Sequence, residues 1–376
     1  MTDKQTDPAE TVTATRVSPL DAEHRSLGAR MVPFGGWEMP IQYSSVLEEH
    51  RACRESAVVF DVSHLGSVEV RGPAGFDALQ WALTNDLRRI GPGRAQYTHL
   101  LDPVDAHVVD DIIVWWLSED DFLVMPNASN TAPIVAALEE AVDRADDGAG
   151  ATSVEDITAT RVVLAVQGPT AREQLATFWP EAAAVARFTV RPLEHAGVTC
   201  VVAGTGYTGE DGVELQVPVA AAVTVWRELL AAGIQPAGLG ARDTLRLESG
   251  LPLHGHELGE GITPLQAGLG WVVRWDKGDF RGRAPLEAEK DRGVARKLAG
   301  LVVEGRQIPR AGCPVLVGGV VVGEVTSGNF SPELNQGIAL AFLDPAVGPG
   351  TAVSIDIRGR AAPAMVTKPP FHSAPK

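Results

Sequence analysis

Two adjacent acids at the start of an apolar run are the strongest indication of chemistry in this sequence. The run is Val109 to Trp116, VDDIIVWW, and its composition predicts a strand. Because successive side chains of a strand point to opposite faces, Asp111 shares one face with Ile113 and Trp115. A carboxylate beside an aliphatic side chain and an indole suits a flat, nitrogen-rich heterocycle. On the residues alone, solvated turn acids followed by core tryptophans are the commoner arrangement.

A second segment, GTGYTG at 204–209, has the G-x-G-x-x-G spacing of a dinucleotide-binding loop. Such a loop opens a helix whose N-terminal amides face a pyrophosphate. Here the following EDGVELQVP predicts a turn and a strand, so the segment favours a glycine-rich hairpin over a nicotinamide site. In that strand Glu214 lies on the face opposite Val213 and Leu215, and we expect it to be an ordinary exposed residue.

Two further pairs of residues have spacings that could serve a ligand. Arg242 and Arg246 are four residues apart in ARDTLRLESG and should share a helix face. Surface pairing with neighbouring acids is the more frequent use of such arginines, and binding of a carboxylate ligand is the alternative. His254 and His256 suit one face of a strand, but no third ligand motif accompanies them, so we predict no metal site.

The elements that must position these residues occur twice along the chain. Residues 66–83, GSVEVRGPAGFDALQWAL, predict a strand, a Gly-Pro corner and a helix, and residues 162–179, VVLAVQGPTAREQLATFW, repeat this plan. In both halves a strand, a turn, a strand and an amphipathic helix follow. The repeat predicts two similar α+β units, 16–145 and 152–285, joined near the small, charged segment 143–151.

The C-terminal part of the chain has a different pattern. From residue 296 onward short Val-rich runs alternate with Gly and Pro, as in PVLVGGVVVGEV and AVSIDIRG. Evenly spaced short strands with little helix predict a small β-barrel over 296–372. Residues 1–15 are polar and predict a disordered tail. The predicted fold class is therefore α+β, with two related units and a C-terminal β-barrel.

The overall composition excludes several classes of protein. Of 376 residues, 45% are hydrophobic and 21% are charged, the balance of a globular protein with two or three domains. A formal net charge of −16 without a basic cluster argues against nucleic acid or an anionic membrane as partner. Three widely spaced cysteines suggest neither a disulfide framework nor a zinc knuckle, and no signal peptide or membrane span is visible, so we expect a cytoplasmic protein.

Nine segments together resemble the aminomethyltransferase (T-protein) family of the glycine cleavage system. They are GARMVPFGGWEMPIQY (28–43), FDVSHLG (60–66), TNDLRRIGPGRAQYT (84–98), VVDDIIV (108–114), VQGP (166–169), TGYTGEDGVEL (205–215), GLGARDTLRLESGLPLHGHEL (238–258), ITPLQAGLGWVV (262–273) and VTSGNFSP (325–332). The similarity extends over nearly the whole chain, from residue 18 to the PPF at 369–371. The resemblance implies a three-domain cloverleaf with a central folate site.

The resemblance also implies which residues bind the folate. Asp111 corresponds to the central acid of the family, which would hydrogen-bond the folate near N10 and N5. Glu214 would accept hydrogen bonds from the pterin, and Arg242 would complement negative charge on the folate tail. The other residues implied to contact folate are Tyr97, Tyr207, Ile113, Trp115 and Trp271.

The reaction implied by the family moves a methylene carbon from an aminomethyl group onto tetrahydrofolate. The carbon is carried by the dihydrolipoyl arm of H-protein, and the products are methylenetetrahydrofolate, ammonia and the reduced arm. Tetrahydrofolate is thus the co-substrate, lipoylated H-protein is the partner, and no metal is required.

Three departures from the usual family pattern keep alternatives open. The string DPVDAHVVDD replaces the Gly-Gly pair that typically precedes the acids, while His254 and Trp115 stand where tyrosine is frequent. One alternative is a folate-dependent demethylase of a small methylated compound on the same fold. Another is a non-catalytic folate-binding protein, although the K-G-C-Y-x-G-Q-E string typical of that branch is missing from LESGLPLHGHEL.

Overall fold

The computed structural model describes residues 15–146 and 151–372. The predicted tail of residues 1–15 lies outside these ranges apart from Thr15, and the predicted junction 143–151 is described only in part. No helix in the described ranges has both the length and the apolar character needed to cross a membrane. Those helices are α1 (Asp21–Ser26), α2 (Val46–Glu55), α3 (Gly75–Ala82), α4 (Thr131–Ala145), α5 (Ala171–Ala176), α6 (Pro180–Ala183), α7 (Val219–Ala231), α8 (Leu239–Glu248) and α9 (Arg283–Arg292).

The strands of the described residues fall into four sheets. A small N-terminal sheet has the order β1-β3-β2, two larger sheets have the orders β11-β12-β13-β10-β4-β14 and β6-β7-β8-β5-β9, and a closed barrel has the order β15-β18-β17-β16-β19-β20. Their bounds are β1 (Arg16–Val17), β2 (Arg30–Phe34), β3 (Trp37–Gln42), β4 (Val58–Asp61), β5 (Val68–Arg71), β6 (Arg94–Leu101), β7 (Val108–Ser118), β8 (Asp121–Met125), β9 (Ser153–Asp156), β10 (Arg161–Gln167), β11 (Val190–His195), β12 (Val198–Ala203), β13 (Gly212–Pro218), β14 (Gln235–Pro236), β15 (Lys297–Val303), β16 (Pro314–Val317), β17 (Val320–Ser331), β18 (Gln336–Leu343), β19 (Ala352–Ile357) and β20 (Arg360–Thr367).

The two Gly-Pro corners of the sequence repeat have the same backbone conformation. Gly72 and Gly168 have φ angles of 133° and 134°, which residues with a side chain rarely adopt. A Cβ atom at Gly168 would also lie 2.2 Å from the carbonyl oxygen of Ser56. Each corner leads into a short helix, α3 in the first half and α5 in the second, as the repeated pattern predicts. The similarity of the two halves is therefore present in the backbone as well as in the sequence.

The two larger sheets do not divide cleanly along the chain, because β4 belongs to the sheet of the second half. All four residues of β4 are buried, and the strand pairs with β10 in the register Asp61 to Leu164. A strand that is apolar on both faces is stable only in the interior of a sheet, and β10 and β14 flank it there. The domain limits 16–145 and 152–285 remain a prediction, and β4 lies within the first range while pairing within the second.

Strand β7 packs on both of its faces, as the alternation of its side chains predicts. Ile112 and Val114 join a cluster with the helices α3 and α4. Ile113 and Trp115 point the other way, into a cluster shared by the two larger sheets that includes Phe60. The face that carries Asp111 is thus directed toward the space between the sheets.

Helix α8 connects the sheets to the barrel. Arg246 donates a hydrogen bond from Nη2 to Oγ of Ser327 on β17, at 2.8 Å. The carbonyl oxygen of Glu248 accepts hydrogen bonds from the backbone N–H groups of Phe371 and His372, at 2.8 and 2.9 Å. The barrel and the segment that follows it are therefore held against the same helix.

A buried carboxylate at the end of β4 fixes the N-terminal segment. Asp61 accepts hydrogen bonds from Nε2 of His24 at 2.8 Å, from the backbone N–H of Ser63 at 2.9 Å and from the hydroxyl of Ser18. Burial alone would raise the pKa of Asp61, but these hydrogen bonds outweigh it and hold the pKa below its usual value.

We expect Asp61→Ala to lower the free energy of unfolding by about 3 kcal/mol or more, because these three donors and the hydroxyl of Ser63, all buried, lose their acceptor. Asp143 is exposed, and the control Asp143→Ala should change stability by less than about 0.5 kcal/mol. Since the pKa of Asp61 is lowered in the folded state, its contribution is present above the ordinary carboxyl pKa and is lost as the pH falls. Urea unfolding at pH 7 and pH 2 checks both statements, because pH 2 lies below the ordinary carboxyl pKa. Equal losses in the two variants at pH 7, or a loss in Asp61→Ala that is the same at both pH values, would contradict them.

Candidate functional site

A cavity of about 1780 Å³ lies between the two larger sheets, helix α8 and the barrel. This volume exceeds the few hundred to ~1000 Å³ of most small-molecule sites. It is lined in part by every residue that the sequence analysis named for the folate site: Tyr97, Asp111, Ile113, Trp115, Tyr207, Glu214, Arg242 and Trp271. Residues that are far apart in the sequence therefore line one cavity.

Asp111 lies on the wall of this cavity, at the face of β7 directed between the sheets. Its Oδ2 accepts a hydrogen bond from the hydroxyl of Tyr97 at 3.0 Å, and its Oδ1 accepts one from Nδ2 of Asn127 at 3.0 Å. The side chain is only partly exposed. Burial, and then the charge of Asp110, raise the pKa of Asp111 to about 8, although the hydrogen bonds from Tyr97 and Asn127 oppose the rise.

Asp110 is fully buried on the opposite face of β7. Its carboxylate accepts hydrogen bonds from the backbone N–H of Asn127 at 2.9 Å, from Nδ2 of Asn127 at 2.7 Å and from Nδ2 of Asn130 at 2.8 Å. The interpretation of the pair as solvated turn acids is therefore wrong. Asp110 is fully removed from solvent and Asp111 partly so, and the segment after β8 supplies amide donors to both, with the Asn127 side chain bridging the two carboxylates.

Glu214 is also buried, with 8% of its surface exposed, so the expectation of an ordinary exposed residue is wrong. The reason is the position of β13 inside its sheet, between β10 and β12. The Glu214 Oε2 accepts a hydrogen bond from Oγ1 of Thr205 at 2.5 Å. The Gly-rich segment 204–209 connects the antiparallel strands β12 and β13, which confirms the hairpin and excludes the helix-opening loop of a dinucleotide site.

The two arginines of α8 have different surroundings. Arg246 is buried and pairs with Glu257 at 3.0 Å and with Asp243 at 2.8 Å. Arg242 takes part in none of the ion pairs found in residues 15–146 and 151–372, and its buried Nη1 has no hydrogen-bond partner there. Its guanidinium lies 4.8 Å from the centre of the Tyr207 ring, and burial lowers its pKa. The expectation of surface pairing is therefore wrong for Arg242.

Aromatic side chains line the cavity near its mouth. Tyr97 and Trp271 are stacked with ring centres 6.0 Å apart and an interplanar angle of 30°. Trp271 is 56% exposed, unusual for an indole without a partner. The hydroxyl of Tyr207 donates to the carbonyl oxygen of Pro252. These rings offer a surface on which a flat ligand can stack.

The two histidines predicted not to form a metal site have other contacts. His254 lies 3.3 Å from Nδ2 of Asn130, and Nδ1 of His256 lies 2.8 Å from the carbonyl oxygen of Thr326. In the described part of the chain, three other possible metal ligands lie close together on the loop before β7. Two of them are the partly exposed Asp102 and the exposed Asp105.

Sequence reasoning missed several residues of this site. The structure adds His64, Asn127, Arg306 and Arg310 to the cavity lining, and it places His99 directly opposite Asp111 in the β6–β7 pair. Of these residues, only His99 could have been found from a sequence pattern, because it is two residues from Tyr97 and therefore lies on the same face of β6. The others are brought to the cavity by tertiary contacts that no local pattern encodes.

Comparison with known proteins gives the family. Residues 20–277 match the family model described as the GCVT N-terminal domain, and residues 296–372 match the glycine cleavage T-protein C-terminal barrel domain. The chain belongs to the glycine cleavage T-protein family. The first family model ends at residue 277 and the second begins at residue 296, just before the first barrel strand, β15.

Individual members of the family are similar over almost their full length. The aminomethyltransferase of Symbiobacterium thermophilum is 47% identical over 371 residues, covering 95% of this chain and 97% of the relative. That of Moorella thermoacetica is 45% identical over 365 residues, covering 96% and 98%. The crystal structure of glycine cleavage system aminomethyltransferase T from Bartonella henselae has a TM-score of 0.89 at 32% identity, with 96% and 99% covered.

These matches confirm three of the sequence-based predictions. The family, the α+β fold class with its C-terminal barrel, and the activity of a transferase of the aminomethyltransferase type are as expected from the sequence. The roles of individual residues, the limits of the domains and the cytoplasmic location stay predictions.

Proposed function

We propose that the cavity binds tetrahydrofolate and that Asp111 takes part directly in moving a methylene carbon onto it from an aminomethyl group carried by lipoylated H-protein. The observation that carries this proposal is the partly buried Asp111 carboxylate, held by Tyr97 and Asn127 and facing a cavity lined by aromatic rings. A reduced pterin offers N–H donors and a flat ring, which this wall complements.

The other polar groups of the cavity have matching roles in the proposal. Glu214 accepts hydrogen bonds from the donor edge of the pterin, because its carboxylate is buried and keeps acceptor capacity beyond the bond from Thr205. Arg242 complements negative charge on the folate, since its buried Nη1 lacks a partner in the described residues. Tyr97, Tyr207, Ile113, Trp115 and Trp271 pack around the ring and its tail.

The proposed chemistry needs two nitrogens to displace two groups from one carbon. The N5 atom of the folate forms a bond to the aminomethyl carbon as ammonia leaves, and N10 forms the second bond as the sulfur of the dihydrolipoyl arm leaves. The protons lost from N5 and N10 end on ammonia and on the thiol. Asp111, when ionised, orients these nitrogens and can accept a proton from one of them. The cavity volume of about 1780 Å³ leaves room for the arm beside the folate.

The decisive experiment offers the purified protein tetrahydrofolate and aminomethylated H-protein. We expect methylenetetrahydrofolate and ammonia in equal amounts. No product from H-protein, together with turnover of a methylated small molecule, would support the demethylase. Folate binding without either reaction would support a non-catalytic binding protein.

The pH dependence of the transfer gives a further test of the role of Asp111. Because burial and Asp110 raise its pKa to about 8, the ionised form increases as the pH rises through that value. We therefore expect kcat/KM for tetrahydrofolate to rise from pH 7 to pH 9. Asp110→Asn removes the neighbouring charge and should move this rise to lower pH.

The matched control is Asp105→Asn, which changes an exposed acid on the loop before β7. It should leave the pH profile where it is. An unchanged profile in Asp110→Asn, with normal folding by circular dichroism, would remove Asp111 ionisation as the source of the pH dependence.

A further inference from the structure

A buried histidine lies beside the proposed catalytic carboxylate without contacting it. His99 on β6 is directly opposite Asp111 on β7, and Tyr97 is two residues away on the same face of β6. The Tyr97 hydroxyl lies 3.0 Å from Oδ2 of Asp111 and 3.1 Å from Nε2 of His99. The two rings meet edge to face, with centres 5.2 Å apart and an angle of 85°. The three side chains therefore form one hydrogen-bonded row.

The surroundings of His99 determine where its proton lies. The residue is fully buried, and burial lowers its pKa to about 3, so the ring is neutral and carries one proton. Its Nδ1 is buried and has no hydrogen-bond partner among the residues described. A buried N–H group without an acceptor is costly, whereas an N–H on Nε2 has the Tyr97 oxygen in reach. The network thus assigns the proton to Nε2, which donates to Tyr97.

This assignment fixes the direction of the whole row. The Tyr97 oxygen accepts from His99, and its own proton is then directed to Oδ2 of Asp111. Hydrogen bonds in a row polarise one another, so a donor behind the hydroxyl strengthens the bond in front of it. A stronger hydrogen bond to a carboxylate stabilises the ionised form of that carboxylate.

We propose that His99 is a positioning residue that acts through the Tyr97 hydroxyl to favour the ionised form of Asp111 and to hold its carboxylate in place for the transfer. The proposal rests on the proposed function for its catalytic consequence, but the hydrogen-bonded row itself can be tested separately. His99 is not among the residues that line the cavity, and it reaches the cavity wall through Tyr97.

Other groups that face Asp111 remain unchanged when His99 is replaced. They are Asp110 on its own strand, Asn127 after β8, Tyr207 on the Gly-rich segment and, through Asn130 and Asp110, His254. If the Asp111 titration changes in a His99 variant, the change must therefore come from the hydrogen bonds that link His99 to Asp111 through Tyr97.

The test compares His99→Leu, which removes the donor, with His99→Gln, whose side-chain amide can place an N–H near the former Nε2. The carboxyl carbon of Asp111 is followed by NMR in protein labelled with ¹³C-aspartate, and the signal missing from Asp111→Asn identifies it. We expect the midpoint of the titration to move up by about half a pH unit or more in His99→Leu and to return toward the wild-type value in His99→Gln. Turnover at pH 7.5 should fall about threefold in His99→Leu, with the KM for folate changed less than about twofold.

The double variant Tyr97→Phe with His99→Leu separates coupling from a merely structural effect. If His99 acts through the hydroxyl, adding His99→Leu to Tyr97→Phe moves the titration no further. An unchanged midpoint in both His99→Leu and the folded His99→Gln, or additive shifts in the double variant, would overturn the proposal. If the midpoint moves but Asp111→Asn keeps full turnover, the row exists and the proposed catalytic role of Asp111 is the part that fails.

Discussion

Replacing Asp111 with asparagine should lower turnover by about 10²- to 10⁴-fold, the range typical for loss of a group that handles a proton in the transition state. Asparagine has almost the same shape, so Tyr97 still has an acceptor, and the affinity for tetrahydrofolate should stay within about threefold. The amide cannot accept a proton or carry the charge that orients the folate nitrogens. The measurements are single-turnover formation of methylenetetrahydrofolate from aminomethylated H-protein and the folate Kd by fluorescence titration.

The matched control is Asp279→Asn, which changes an exposed acid that does not line the cavity. It should keep wild-type turnover. Full activity of Asp111→Asn would remove Asp111 from the mechanism, while an equal loss of affinity and turnover would make it a binding residue only. The experiment thus separates a role in chemistry from a role in recognition.

Replacing Arg242 with methionine should change stability and folate binding in opposite directions. The buried Arg242 guanidinium forms no ion pair in the described structure and its Nη1 has no hydrogen-bond partner, so methionine breaks no ion pair and removes only the weaker attraction of the charge to Glu214 and to the Tyr207 ring. The free energy of unfolding should therefore stay within about 1 kcal/mol of the wild-type value or rise. The Kd for tetrahydrofolate should increase about 10- to 100-fold, because a charged hydrogen bond to the ligand is lost.

A contrasting variant lies one helical turn away. Arg246→Met leaves the buried Glu257 without its ion pair and Ser327 without its donor, and should cost about 3–5 kcal/mol of stability. The exposed Arg292 provides a neutral control, since Arg292→Met should change neither property. A Kd unchanged in Arg242→Met would show that the folate does not use this guanidinium.

Local patterns were enough to predict much of the fold. The alternation of β7 gave the correct face to Asp111, because a strand packed on both sides fixes the direction of every side chain. The Gly-Pro corners gave the repeat, because the φ angles near 133° at Gly72 and Gly168 demand glycine. The short Val-rich runs after residue 296 gave the barrel for a similar reason, since evenly spaced strands and turns are local features.

The states of the acids and arginines could not be predicted, because they depend on partners distant in the sequence. Asp110 can be buried because Asn127 and Asn130, which follow β8, donate hydrogen bonds to its carboxylate. Arg246 is paired with Glu257, whereas Arg242 forms no ion pair in the described residues, although the two arginines are only four residues apart on α8. The sequence therefore predicted which residues line the same cavity, but it did not predict which of their charged groups are buried or paired.

Strand β4 belongs to the first half of the chain but pairs in the sheet of the second half. This pairing affects the order in which the protein can fold during synthesis. Strand β4 emerges from the ribosome early, but its neighbour β10 follows only about 100 residues later. Until then an apolar segment, Val58–Asp61, has no strand to pair with and is open to contacts with other chains. We therefore expect the two halves, expressed as separate polypeptides, to be insoluble, and the nascent first half to need protection of this segment until β10 is made.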